Sequence, residues 1–160
     1  QMVEYFRDTP IVLRFIEYTD VGNINHWKIS DTVPSEELLK TINSIWPIES
    51  IDQNYHGEVA SRYRFKDGRG EIGFISSVTE PFCRSCTRAR LSSDGKLYNC
   101  LFATSGQDVK SWLRAGLTDQ EIQEKIYEIW SRREDRYSEL RALNQTYLGK
   151  KKVEMYYIGG

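Results

Sequence analysis

This sequence is short of histidine, of cysteine and of any surplus of one charge. It has two His and three Cys in 160 residues. An odd cysteine count speaks against a disulfide framework. No apolar run approaches the length of a membrane span. The opening residues, QMVEYFRDTP, carry no signal-peptide core. These absences predict a reducing, cytoplasmic setting without a membrane partner. Lys and Arg number 22 against 23 Asp and Glu. With a net charge of −1 there is no overall polyanion footprint, so nucleic acid is not expected and any anion site must be local. Internal repeats and low-complexity stretches are also lacking.

What is present is the composition of a globular domain. Hydrophobic residues make up 39% and charged residues 28%. Ten Tyr, six Phe and four Trp are too many aromatics for a disordered chain. The length suits one ordinary domain and is marginal for two.

Residues 10–23, PIVLRFIEYTDVGN, read as a strand followed by a loop, interrupted by Arg14 and Glu17. Charges inside a buried strand pair or line a site, and the plainer expectation for Arg14 is a pair with Glu17 or another carboxylate. Residues 35–46 have helical spacing through Leu38, Leu39, Ile42 and Ile45, with Pro34 and Ser35 as the start signal and Pro47 as the stop. EVASRYRF and EIGFISSV flank the turn KDGRG, which signals a hairpin. ARLSS and KLYNCLF flank Asp94-Gly95 in the same way, which places Cys100 on the return strand. Helical signals resume at QDVKSWLRAG, with Gly116 as a C-terminal stop. Thr118 and Glu121 then have capping-box spacing ahead of a stripe of Ile122, Ile126, Ile129 and Trp130, expected to face the core. KKKVEMYYIGG closes the chain as a short strand with a Gly-Gly tail. Strand-rich stretches framed by helices predict an α+β fold.

The three cysteines form a C-x-x-C followed, after thirteen residues, by Cys100. Structural zinc would need a fourth ligand from His26, His56 or a carboxylate, and neither histidine has finger spacing. A redox C-x-x-C lacks a βαβ context and leaves Cys100 unexplained. Inert core cysteines would be an unusual filling for a hairpin shoulder. A [4Fe–4S] cube on three thiolates keeps one iron open, which makes the number three a feature. Spacing favours this or another metal site without eliminating the rest. Arg88 and Arg90, two apart on an expected strand, would share a face and suit phosphate oxygens. Solvated surface arginines are the plainer reading of the same pair.

FCRSCTRARLSSDGKLYNCLFA resembles the C-terminal cluster motif of the GTP 3′,8-cyclases, radical S-adenosylmethionine enzymes of molybdenum cofactor biosynthesis. The resemblance extends through RFIEYTDVGN, GEVASRYR, IGFISSVTEPFC and the terminal YYIGG. It implies that Cys83, Cys86 and Cys100 hold a [4Fe–4S] cluster whose open iron meets the guanine of GTP. Arg14, Arg88, Ala89 and Arg90 then fall on the family's GTP-binding positions, and Gly159 and Gly160 on its active-site tail. Thr19 stands where the family usually has a Met that touches S-adenosylmethionine.

The family's N-terminal C-x-x-x-C-x-x-C, which holds the second [4Fe–4S] cluster, is missing. By resemblance, residues 1–30 are the end of an incomplete (β/α) barrel and 31–160 a cluster-binding domain of antiparallel hairpins with flanking helices. The N-terminal radical domain is then the absent partner, and the chain alone would be inactive. Cyclic pyranopterin monophosphate synthase is the implied pathway partner, and a homodimer stays open. Two other readings stand beside this one. A zinc-ribbon-like module for protein or nucleic acid would use the same cysteines. A ubiquitin-like sulfur carrier would share only the Gly-Gly end.

Overall fold

The computed structural model describes residues 1–143 and 151–158. It divides into two compact units, one of Gln1–Thr19 with Trp27–Cys86 and one of Asp20–His26 with Thr87–Gly160. The fold is α+β, with one mixed and one antiparallel sheet. Among the described residues no helix is long and apolar enough to cross a membrane.

The first unit holds α1 (Met2–Phe6), β1 (Leu13–Ile16), α2 (Ser35–Ile45), β2 (Ile48–Ile51), β3 (Ser61–Phe65) and β4 (Glu71–Ile75). Its sheet runs β1-β4-β3-β2, with β1 parallel to β4 and the other pairs antiparallel. The period of two along each strand sorts the side chains onto two faces. Leu13 and Phe15 of β1 register with Ile72 and Phe74 of β4, and this apolar face packs with Val3, Ile42, Ile48 and Phe65 as the core. Leu38 and Leu39 of α2 join that core as expected. Ile45 does not, being 60% exposed at the last position of the helix.

The opposite face is charged. Arg14 lies opposite Gly73, which in turn registers with Arg62 of β3. A Cβ on Gly73 would press on the Arg14 side chain, so the glycine leaves the space across which Arg14 lies. The expected hairpin is β3 and β4 around the turn at 66–70, with register Arg62 to Gly73 and Arg64 to Glu71.

Glu17, the second charge in the apolar run, is buried with a structural task. Its carboxylate accepts from the backbone N–H groups of Ser35 at 2.9 Å, Val78 at 2.8 Å and Thr79 at 2.9 Å, and from the Thr79 hydroxyl at 2.5 Å. It thereby satisfies an orphan donor at the start of α2 and ties down the turn after β4. Burial pushes the Glu17 carboxyl up, but the Thr79, Ser35 and Val78 hydrogen bonds together hold it below its ordinary value of 4.5. A depressed folded pKa gives stability that is full above the unfolded value and lost as pH falls through the folded one. Glu17→Gln is therefore expected to cost about 1.5–3 kcal/mol near pH 7. Urea unfolding at descending pH should show that gap closing in acid; a pH-independent gap would contradict the role.

The second unit holds β5 (Arg90–Leu91), β6 (Lys96–Tyr98) and β7 (Gln107–Asp108) in an antiparallel sheet. Asp94-Gly95 turns β5 into β6 as expected, with Gly95 at φ +85°. α3 (Val109–Arg114) is capped by Asp108, whose side chain accepts from Ser111 N at 3.0 Å, and Gly116 at φ +78° ends the turn after it. α4 (Asp119–Ser131) carries both hydrogen bonds of the Thr118 and Glu121 capping box. α5 (Tyr137–Leu143) follows.

Two expectations fail here. The α4 stripe does not face a core: Ile122 and Ile129 are half-buried, Ile126 and Trp130 are each 37% exposed, and no residue of α4 is buried. Its neighbour α3 is short, and the ring of its Trp112 lies 5.6 Å from the Lys125 ammonium of α4. Residues 151–158 form no strand either; 155–158 are a turn closed by Tyr157 N to Glu154 O at 3.0 Å. Side-chain contacts and one backbone bond, Val153 N to Ala103 O, hold this segment in place of a ladder.

Candidate functional site

Cys83 and Cys86 bracket one tight turn, the 3-10 helix Cys83–Ser85, closed by Cys86 N to Cys83 O at 3.3 Å. Two residues between cysteines thus place both thiols on a single turn. Both are half-buried. Residues 87–89 follow without regular structure, with Arg88 and Ala89 exposed and Arg90 half-buried at the start of β5. Arg88 therefore lies outside the strand, and strand alternation does not set the face it shares with Arg90.

Cys100 corrects a second expectation. β6 ends at Tyr98, so Cys100 sits two residues past the return strand, in a turn closed by Ala103 N to Cys100 O at 3.2 Å. The Phe102 N–H donates to the Cys100 sulfur at 3.4 Å. Hydrogen bonds of this kind to cysteine sulfur are one means by which proteins tune iron–sulfur centres. Cys83 and Cys86 belong to the first unit and Cys100 to the second. No disulfide involves any of the three. Among the described residues no group of three or more His, Cys, Asp or Glu stands together as a metal-holding set. Each of the three thiols is half-buried, and the Cys100 sulfur has a backbone donor.

Arg14 does pair with a carboxylate, as its plainer reading expects, but with Glu58 and not Glu17. Its Nη2 donates to Glu58 Oε1 at 3.0 Å, and Glu58 Oε2 accepts from Asn54 N at 2.8 Å. The Glu58 side chain is fully buried while 41% of the Arg14 side chain stays exposed. A buried carboxylate thus grips one nitrogen of the fork and leaves the guanidinium surface accessible, which orients a cation without hiding it. Thr19 is half-buried just past the β1 strand. Gly159 and Gly160 lie outside the described residues.

The second unit holds a charged cluster that the sequence reading missed. Asp20 is buried and accepts from Lys152 Nζ at 2.6 Å, from the Tyr137 hydroxyl at 2.5 Å and from Arg141 Nη1. Burial pushes the Asp20 carboxyl up, yet the Lys152 and Tyr137 hydrogen bonds and the Arg141 charge hold it below its ordinary value. Burial and the bond to Asp20 drive the Tyr137 phenol upward. Tyr137 also stacks on Phe102 with ring centres 4.5 Å apart, and Lys152 Nζ lies 4.9 Å from the Tyr137 ring. A cavity of about 260 Å³ borders this cluster and Cys100, lined also by Thr104, Asp135 and Arg136. A lone Asp in a TDVGN loop and a Lys 132 positions later carry no local signal of pairing.

Residues 11–139 match the family model Molybdenum Cofactor Synthesis C, and the chain belongs to that family. Among its relatives, the GTP 3′,8-cyclase of Acidothermus cellulolyticus is 46% identical, covering 100% of this chain and 51% of the relative. The GTP 3′,8-cyclase of Staphylococcus carnosus is 49% identical over 99% of this chain and 47% of its own. That of Staphylococcus aureus strain MRSA252 is also 49% identical, with the same shares covered. The chain spans about half the length of the curated relatives it matches.

Proposed function

We propose that this chain is the substrate-holding part of a GTP 3′,8-cyclase, the radical S-adenosylmethionine lyase that converts GTP to 3′,8-cyclo-7,8-dihydro-GTP in molybdenum cofactor biosynthesis. The observation that carries this is identity of 46–49% to enzymes of that name along essentially the whole chain. The layout that goes with it has 1–30 as the end of a (β/α) barrel and 31–160 as the cluster-binding domain. The parallel pairing of β1 at the sheet edge, with Ile16 65% exposed, supports that reading of the N-terminal stretch. The cleavage of S-adenosylmethionine and its own [4Fe–4S] cluster belong to the preceding half, with Thr19 at the edge of that cofactor's site. Without that half the chain does not turn over GTP. Cyclic pyranopterin monophosphate synthase takes the product, in the cytoplasm.

In this reading Cys83, Cys86 and Cys100 hold a [4Fe–4S] cluster, which when bound supplies an iron with an open position for guanine. The chain's own residues do the rest of the holding. Arg14, Arg88 and Arg90 neutralise the triphosphate, Ala89 keeps the stretch between the arginines slim, and Gly159 and Gly160 complete the site. Held groups lose little entropy at the moment of reaction, which is the contribution that positioning makes.

GTP titrated against guanosine tests the arginine assignment in the cluster-loaded full-length protein. Arg14→Ala, Arg88→Ala and Arg90→Ala are each expected to weaken GTP by about 1.5–3 kcal/mol, the range for hydrogen bonds to charged groups. Guanosine should be much less affected, and high salt should narrow the difference. Equal losses for both ligands would remove the arginines from the triphosphate site.

A further inference from the structure

We propose that the loop 20–23 is a dock for the chain's own C-terminal segment, and that Asn23, Lys152 and Tyr157 are positioning residues that set where the chain beyond Ile158 begins. Asn23 uses its side-chain amide as a strand would use its backbone. Its Nδ2 donates to Lys152 O at 2.7 Å, and its Oδ1 accepts from Lys152 N at 2.9 Å. Asn23 N and Nδ2 also donate to Glu154 Oε1 at 3.1 and 2.6 Å. Gly22, at φ +72°, is what lets Glu154 approach, since a Cβ there would collide with its carboxylate. Two residues before Gly22, Asp20 receives the Lys152 ammonium on both its carbonyl and its carboxylate, at 2.6 Å each.

The segment is held further along as well. Val153 N donates to Ala103 O at 2.9 Å, the Tyr157 hydroxyl donates to Asp94 Oδ2 at 2.5 Å, and Ile158 is wholly buried. That bond pushes the Tyr157 phenol up to about 12.

Attachment alone would need only the burial of Ile158. The contacts here also fix register. A slip of one residue would put Lys152 out of reach of Asp20 and move the amide clamp off its matched N–H and C=O, leaving buried polar groups unpaired. Loop and segment therefore specify one position for Ile158, the residue that precedes Gly159 and Gly160 in the sequence. The docking claim stands on these contacts; its consequence for turnover rests on the cyclase reading above.

The test uses the full-length, cluster-loaded protein with Asn23→Ala and, separately, Tyr157→Phe. Neither strands a buried charge. Amide hydrogen exchange in 151–158 is expected to quicken about 10-fold or more in Asn23→Ala, and less in Tyr157→Phe, with β3 and β4 unchanged. In the same proteins kcat should fall about 10- to 100-fold while KM for GTP stays within about twofold, the pattern of misplaced rather than weakened holding. Thr118→Ala, which loosens only the α4 cap, should move neither readout. Unchanged exchange at 151–158 in both variants would overturn the dock. Quickened exchange with undiminished kcat would overturn the positioning role. If the unsubstituted full-length protein fails to turn over GTP, the cyclase reading falls, and the exchange data alone decide the dock.

Discussion

Cys100→Ser in the full-length protein is expected to abolish the C-terminal cluster proposed above. Cys83 and Cys86 alone leave a cube with two thiolates from one turn, and a serine hydroxyl is a poor iron ligand at neutral pH. Iron and sulfide should drop by one cluster's worth per chain, with a matching loss of broad visible absorption. GTP turnover should fall by more than about 100-fold, the upper end of what even outer partners of a metal site cost when removed. The binding signature should differ from that of the arginine variants, because guanosine loses affinity along with GTP. A variant that kept its full iron and sulfide would remove Cys100 from the ligand set. A colourless wild-type protein carrying zinc would favour the ribbon-like module instead.

The largest effect on stability is expected at Asp20. Its carboxylate lies between Lys152 and Arg141, both buried, with the Tyr137 hydroxyl as a third donor. Asp20→Ala removes the anion that two buried cations share, and breaking a buried pair in this way costs about 3–5 kcal/mol. Adding Lys152→Met should recover part of the loss, since one of those cations is then gone, so the two changes should be clearly non-additive. Acid should act in the same direction as Asp20→Ala. The Asp20 pKa is depressed in the fold, so its contribution is complete above the unfolded value of about 3.9 and vanishes as pH falls through the folded one. Hydrogen exchange across α5 reads the second unit without assuming that both units unfold together. A loss below about 1 kcal/mol would mean that the cluster is far more hydrated than its burial implies.

What the sequence made legible was local. The two hairpins follow from KDGRG and Asp94-Gly95, α4 from the capping spacing of Thr118 and Glu121, and the end of α3 from Gly116. Each signal lies within a few residues of what it determines. The partner of Arg14 was not legible, because Glu58 is 44 positions away while Glu17, only three away, is taken up by backbone donors. Nor was the exposure of the α4 stripe, since helical spacing reports an apolar face and not what covers it. The cysteine spacing favoured a metal site of some kind, and the end of β6 at Tyr98 moved Cys100 from a strand into a turn. The hold on residues 151–158 was hidden altogether, because Asn23 and Lys152 meet across 129 positions.

The position of β1 bears on how these 160 residues behave when handled apart from a longer chain. Among the described residues β1 ends its sheet, and an edge strand offers a row of unpaired backbone groups to any strand that drifts past. Ile11 and Val12 just ahead of it and Ile16 at its end are exposed, and the strand itself carries only one charge, Arg14. Concentrating such a preparation invites edge-to-edge addition of β1 strands, and with it oligomers that grow with protein concentration rather than with temperature. A short soluble peptide of high strand propensity, added in excess, should cap the edge and clear the turbidity.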